Sequence, residues 1–156
     1  MKIYLATHGE KRAGFNPAHT ADGLGQVIDV LGNQFQKIPK PPLLVVGSGF
    51  RFEETYLAFL QFLPSTTVKW SPFAGSADAS DNNGKIAIAS NNTVAEADYI
   101  GLAGNPGFDA WKFISSLPPN TLLCSGEELM SALGLESNKG RIYELETENK
   151  SCRQVI

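Results

Sequence analysis

Residues 2–10 read KIYLATHGE, and this stretch decides how the fold begins. Residues 2–6 contain β-branched and aromatic side chains and predict a short strand that starts almost at the first residue. His8 follows directly after that strand and precedes a glycine. An imidazole at such a position can act as a base, a nucleophile or a ligand near neutral pH. The alternative interpretation is a loop histidine that is hydrogen-bonded to the backbone.

Outward from this stretch, helical and strand patterns alternate along the chain. Thr20 is predicted to cap a first helix with an apolar face formed by Leu24, Val27, Ile28, Leu31 and Phe35. Further helices are predicted between Gly49 and Pro64, at about 108–117 and at 126–133. The predicted strands are 2–6, 43–46, 66–70, 121–124, and a terminal hairpin of 141–146 and 152–156. This alternation predicts one three-layer α/β/α domain over residues 1–156 with a mainly parallel sheet.

The middle of the chain gives weaker patterns. Residues 71–84 are small, polar and glycine-rich, and we interpret them as a loop or lid. Residues 85–89 and 99–102 are candidate strands. The glycines at 101, 104 and 107 do not form a dinucleotide fingerprint, because their spacing differs and Pro106 interrupts them. We therefore predict no cofactor.

Composition narrows the function classes. The chain has 156 residues and a net charge of −3, with no cluster of lysines and arginines that would predict nucleic-acid binding. The first residues lack the apolar stretch of a signal peptide, and no window is long and apolar enough to span a membrane. The two cysteines, Cys124 and Cys152, are not spaced as a metal or redox motif. We expect a soluble, cytoplasmic protein without a bound metal.

Three strand ends are predicted to meet, because ligands of parallel α/β sheets bind beyond the carboxyl ends of the strands. These ends are Thr7-His8-Gly9, Ser48-Gly49-Phe50-Arg51 and Cys124-Ser125-Gly126. Arg51 falls in the first turn of a helix, where a cation has the wrong sign for the helix dipole. An anion bound at that helix terminus would account for Arg51, since free N–H groups and a guanidinium both bind phosphates.

The motifs also follow a familiar order: His8-Gly9-Glu10, then Thr20-x-x-Gly23-x-x-Gln26, then Ser48, Arg51 and Thr55. This order resembles the histidine phosphatase superfamily, which has the phosphoglycerate mutase-like fold. Members typically show Arg-His-Gly-Glu, Leu-Thr-x-x-Gly-x-x-Gln and a Ser-Pro-x-x-Arg-Ala-x-x-Thr-like segment. The short chain resembles the small phosphohistidine phosphatases of that group. The resemblance covers about the first 60 residues well and implies that His8 is the nucleophile and that Arg51 binds phosphate.

The chain departs from that pattern at two phosphate-contacting positions. Thr7 stands where the family has an arginine, and the segment after the 121–124 strand reads Ser125-Gly126-Glu127-Glu128, without the family's late histidine. His19, the only other histidine, stands where the family usually has an apolar residue, so we do not include it in the site. Ser125-x-x-Glu128 matches a capping box, which leaves Glu127 as the carboxylate nearer to the site.

These observations define the candidate site. His8 and Glu127 are the candidate catalytic residues, and Arg51, Arg12, Thr7 and Ser48 are the candidate phosphate-binding residues. Arg12 is included because some branches of the superfamily carry an extra arginine soon after the histidine. The ligand is expected to be a small phosphorylated molecule or another anion.

Three functions stay open. The first is a catalytically impaired protein that keeps an anion-binding pocket. The second is an active phosphohydrolase that works on phosphomonoesters or phosphohistidine through phospho-His8. The third is a scaffold for protein–protein contact. The last strand is a candidate open edge, so a homodimer is also possible.

Overall fold

The computed structural model describes residues 1–14, 17–47, 49–60, 62–63, 65–71, 74–75 and 109–156. Ser48 lies outside these ranges. So do the candidate strands at 85–89 and 99–102 and most of the 71–84 loop. Within the described ranges, no helix is long and apolar enough to cross a membrane.

The described strands form a six-stranded sheet in the order β3-β2-β4-β1-β5-β6. They are β1 (Lys2–Thr7), β2 (Leu43–Gly47), β3 (Thr67–Ser71), β4 (Leu122–Ser125), β5 (Ile142–Glu146) and β6 (Ser151–Gln154). Strands β1 to β4 are mutually parallel, whereas β5 runs antiparallel to β1 and β6 antiparallel to β5. The mainly parallel sheet and the terminal hairpin are therefore confirmed.

Helices cover both faces of the sheet. They are α1 (Ala21–Gln26), α2 (Phe50–Leu60), α3 (Ala110–Ser115) and α4 (Glu127–Ala132). Alternate side chains of β1 enter two separate apolar cores. Tyr4 and Ala6 pack in the core that contains Phe52 of α2, whereas Ile3 and Leu5 pack in the core that contains Ile114 of α3. This alternation produces the three α/β/α layers that the sequence predicts.

The first helix differs from its prediction after one and a half turns. Thr20 caps α1 as predicted, and its hydroxyl accepts a hydrogen bond from the Gly23 N–H at 2.9 Å. The chain then continues as a π-helical turn, Val27–Gly32. A π turn closes i→i+5 hydrogen bonds, so side chains drift out of the 3.6-residue phase on which the prediction rests. Ile28 is consequently 45 % exposed rather than on the buried face.

The predicted capping box of the last helix is wrong. Ser125 belongs to strand β4, and its hydroxyl donates to the Ala74 carbonyl oxygen at 2.6 Å. The N-cap of α4 is Gly126, which has no side chain to cap with. Glu127 and Glu128 do lie in the first turn of α4, where their charges favour the helix dipole.

Candidate functional site

A small cleft opens where the carboxyl ends of β1, β2 and β4 meet. Its volume is about 70 Å³, and the described residues that line it are His8, Lys11, Arg51, Phe52, Gly75, Gly126, Glu127 and Glu128. Pockets for drug-sized ligands are several times larger, at about 300–1,000 Å³. The cleft therefore suits one small group, and the structure brings together His8, Arg51 and Gly126 as the parallel strand ends predict.

His8 is held with a defined ring orientation. Its ring is buried, and its Nδ1 lies 2.6 Å from the carbonyl oxygen of Gly9. Because a carbonyl oxygen can only accept a hydrogen bond, Nδ1 carries the proton and Nε2 keeps its lone pair. The ring packs edge-on against Phe52, with 5.6 Å between the ring centroids. His8 is thus oriented as a neutral imidazole with Nε2 as the basic nitrogen.

Burial accounts for the charge state of His8. It lowers the pKa of the imidazole from its ordinary 6.5 to about 3, against the opposing effect of the Gly9 carbonyl. The positive charge of Arg51 lowers the pKa further. His8 is therefore neutral at physiological pH, as an attacking imidazole must be.

Gly126 lies directly against the Nε2 edge of His8. A Cβ atom at this position would be 2.9 Å from Cδ2 and 3.0 Å from Nε2 of the His8 ring, and 3.2 Å from the Phe52 ring. Such approaches force a side chain to shift, so the observed His8 position fits only a glycine here. This packing gives a physical reason why the segment that follows β4 carries no histidine at this position.

Arg51 is buried at the start of α2. It is 2 % exposed, and its guanidinium carbon lies 4.4 Å from the centroid of the Phe52 ring, within cation–π range. Phe52 therefore contacts both His8 and Arg51 and separates the cleft from the core. The predicted meeting of Arg51 and His8 is what the structure shows; phosphate binding by Arg51 stays a prediction.

Among the described residues, the second basic side chain of the cleft is Lys11 and not Arg12. Arg12 is exposed, and its Nε donates to the carbonyl oxygen of His19 at 3.2 Å. Lys11 and His19 form an isolated antiparallel bridge, and the Arg12 N–H donates to the Ala18 carbonyl. Lys11, unlike Arg12, is among the described residues that line the cleft. The geometry gives the predicted phosphate contact of Arg12 no support.

Thr7 also points elsewhere. Its hydroxyl donates to the carbonyl oxygen of Asn138 at 2.6 Å and accepts from the Arg141 N–H at 3.0 Å. The described lining of the cleft does not include Thr7. This threonine ties the end of β1 to the loop before β5, so its predicted phosphate contact has no support in the geometry either.

Two carboxylates share the cleft with the cations. Glu127 and Glu128 are exposed residues of the first turn of α4, and both line the cleft together with Lys11 and Arg51. Glu127, the candidate acid, thus lines the same cleft as His8, and its catalytic role stays a prediction. Within the described ranges, no three His, Cys, Asp or Glu side chains could hold a metal ion.

The sequence pattern does not predict His19 as a site residue, yet the structure places it beside His8. Its ring is buried beside His8, with 6.0 Å between the ring centroids. Its Nε2 accepts a hydrogen bond from the Gly9 N–H at 2.8 Å, and its Nδ1 lies 3.2 Å from Oε1 of Glu54. The sequence gives only one sign of this position near the site: His19 stands where the resembling family usually has an apolar residue.

Comparison with known proteins supports the fold. No protein-family model matches the chain, and a search of curated proteins gives no significant match. Among solved structures, a protein assigned as the phosphohistidine phosphatase SixA from Agrobacterium tumefaciens aligns with a TM-score of 0.58 at 13 % identity, over 99 % of this chain and 95 % of that one. A phosphoglycerate mutase from Thermus thermophilus aligns with a TM-score of 0.55 at 16 % identity, over 94 % and 93 %.

The protein TTHB049, also from Thermus thermophilus, gives the same result, with a TM-score of 0.55 at 16 % identity over 94 % of each chain. At such low identities the likeness establishes the fold and nothing more. The chain therefore has the phosphoglycerate mutase-like α/β fold, in which His8 stands at the carboxyl end of the first strand.

Proposed function

We propose that this protein binds a small phosphate-like anion in the His8 cleft and is catalytically impaired. The observation that carries the proposal is that a buried arginine, Arg51, and a lysine, Lys11, line the same small cleft as a neutral imidazole. A guanidinium binds phosphate oxygens through two parallel hydrogen bonds, and an ammonium adds a second positive charge. The volume of about 70 Å³ suits a phosphoryl group rather than a whole metabolite.

The carboxylates argue for impaired catalysis. Phosphoryl transfer develops charge on oxygens that must be stabilised from several sides. Here Glu127 and Glu128 line the same cleft as Lys11 and Arg51, so among the described lining residues two negative charges stand beside the two positive ones. Each carboxylate repels a phosphate charge by about 1–4 kcal/mol, depending on the effective dielectric. By the family resemblance, Thr7 stands in place of an arginine, and the segment after β4 lacks a histidine. Groups of this kind each contribute about 3 kcal/mol when they contact a transition state.

An active phosphohydrolase is the second candidate, and the orientation of His8 favours it. The Nε2 lone pair of a neutral His8 would attack phosphorus and form an N–P bond while the ester P–O bond breaks. Glu127 would protonate the leaving oxygen. Water would then break the N–P bond and release phosphate, with the carboxylate of Glu127 accepting a proton from that water.

Binding of inorganic phosphate tests the proposed site. We expect wild-type protein to bind phosphate in a calorimetric titration, and Arg51→Gln to bind it about 10- to 100-fold more weakly, as for a lost hydrogen bond to a charged group. Lys11→Gln should also weaken binding. Arg12→Gln is the matched control, because this neighbouring cation is exposed and is not among the described residues that line the cleft, and it should bind like the wild type. Equal affinities of Arg51→Gln and wild type would refute the site.

Turnover distinguishes the two candidates. We expect neither wild type nor His8→Ala to hydrolyse generic phosphomonoesters, and no phosphate to be found on His8. Turnover that disappears in His8→Ala, together with phosphate on His8, would favour the phosphohydrolase instead. The predicted cytoplasmic location and homodimer stay predictions.

A further inference from the structure

A hydrogen-bonded pair, His19 and Glu54, lies next to His8, and neither residue is among the described residues that line the cleft. The His19 side chain has no solvent exposure, and Glu54 reaches it from the middle of α2. Oε1 of Glu54 accepts from the backbone N–H of His19 at 2.8 Å and lies 3.2 Å from its Nδ1. One carboxylate oxygen therefore holds both the backbone and the ring of His19.

The hydrogen-bond partners determine the tautomer of His19. The Gly9 N–H can only donate, so Nε2 of His19 must accept and carries no proton. The ring proton consequently lies on Nδ1, where Oε1 of Glu54 can accept it. Both ring nitrogens thus have complementary partners only while His19 is neutral. Burial accordingly lowers the pKa of His19, although Glu54 acts in the opposite direction.

Gly9 connects this pair to His8. Its N–H donates to His19, and its carbonyl oxygen accepts from Nδ1 of His8 at 2.6 Å. Gly9 also packs so closely on the backbone of Gly23 that a Cβ atom would collide with the Gly23 carbonyl. Three contacts therefore fix Gly9. Its N–H is bonded to His19, its Cα packs against Gly23, and its carbonyl oxygen accepts from His8.

We propose that His19 and Glu54 are positioning residues that hold Gly9 so that His8 keeps its proton on Nδ1 and presents Nε2 to the cleft. The proposal deepens the proposed function, since it concerns the same site, but its test needs no bound anion. The pair acts through Gly9, because Nε2 of His19 accepts from the Gly9 N–H and neither His19 nor Glu54 is among the described residues that line the cleft. This role accounts for a histidine at position 19, where filling the buried space does not by itself require one.

Nitrogen NMR of the histidine rings in ligand-free protein tests the proposal, because it distinguishes the ring nitrogen that carries the proton from the one that does not. In wild type we expect one His8 tautomer, with Nε2 unprotonated. His19→Gln and His19→Leu form a matched pair of similar size. The amide oxygen of Gln can accept from Gly9 and should preserve the His8 signals. Leu cannot accept, so the Nε2 signal should shift towards the protonated position.

Glu54→Ala should shift the His8 signals in the same direction, and Glu53→Ala, one residue earlier on α2, is its control. If His19→Leu fails to fold, Glu54→Ala and His19→Gln still decide the outcome. Unchanged His8 signals in His19→Leu or Glu54→Ala would overturn the proposal. Equal shifts in His19→Gln and His19→Leu would also overturn it, because packing rather than hydrogen bonding would then be responsible. The phosphate titration is separate, so loss of phosphate binding alone would refute only the proposed function.

Discussion

At the scale of single residues, His8 combines burial with a fixed tautomer. Its pKa lies near 3 because the folded protein removes water from the ring, and because Arg51 lies close by. The unfolded chain returns the group to its ordinary value of about 6.5. Between these two values the unfolded state binds a proton that the folded state does not, so acid favours unfolding.

This difference predicts a pH-dependent stability. The contribution of His8 is fully present above about pH 6.5 and is lost as the pH falls towards 3. Between pH 7 and pH 5 it should lower the free energy of unfolding by about 2 kcal/mol, and His19, whose pKa is also lowered by burial, should add to this. Urea unfolding at the two pH values measures the effect. His8→Gln should lose less stability over the same interval, and an identical loss would contradict the assignment.

At the scale of elements, the start of α1 is shaped by contact with the loop that carries His8. Gly23 is buried, and a Cβ atom there would collide with the backbone carbonyl of Glu10. The Thr20 N–H donates to that same carbonyl at 3.0 Å. Gly25, only two residues further on, has open space around its Cα. Two glycines in one helix therefore have different reasons to be there.

The two glycines predict opposite mutational effects. Gly25→Ala should stabilise the protein by about 0.5–1 kcal/mol, since alanine is the better helix former. Gly23→Ala should destabilise it by about 1–3 kcal/mol, because the added methyl overpacks against a backbone that cannot move away cheaply. Urea unfolding of both variants measures the difference. Stabilisation by both substitutions would show that the approach of Glu10 to Gly23 is not tight.

At the scale of the whole molecule, the sheet places one cysteine at its centre and the other at its rim. Cys124 lies in β4, between β1 and β2, and is fully buried, which raises the pKa of its thiol. Cys152 lies on β6, the strand at one end of the sheet order, and is partly exposed. Global unfolding is needed to expose the first thiol but not the second.

Thiol reactivity should report this arrangement. In native protein we expect one thiol to react with Ellman's reagent, slowly at neutral pH because burial also raises the pKa of Cys152. Both should react at once in denaturant. Cys152→Ser should abolish the native reaction and leave the denatured one. Two thiols that react at equal rates in native protein would contradict the central position of β4.

Most of the fold could be predicted because its signals are local. Apolar runs such as 43–46 and 121–124 predict buried strands, and the N-cap at Thr20 is a short-range pattern; all three are confirmed within one residue. The π turn at Val27–Gly32 could not be predicted, because its side-chain pattern is compatible with an ordinary α-helix. The position of Ser125 depends on Ala74, a partner 51 residues away.

The order of strands and helices along the chain and the meeting of His8 with Arg51 can be predicted from the amino-acid sequence, because hydrophobic periodicity and strand direction are local properties. The folded structure was needed to see that Lys11 and not Arg12 lines the cleft, that Thr7 bonds the loop before β5, and that His19 accepts a hydrogen bond from Gly9. Loop residues lack the regular repeat of helices and strands, so the directions of their side chains cannot be predicted from their spacing in the sequence. Their directions depend on distant partners such as Asn138 and Glu54, which only the folded chain brings near.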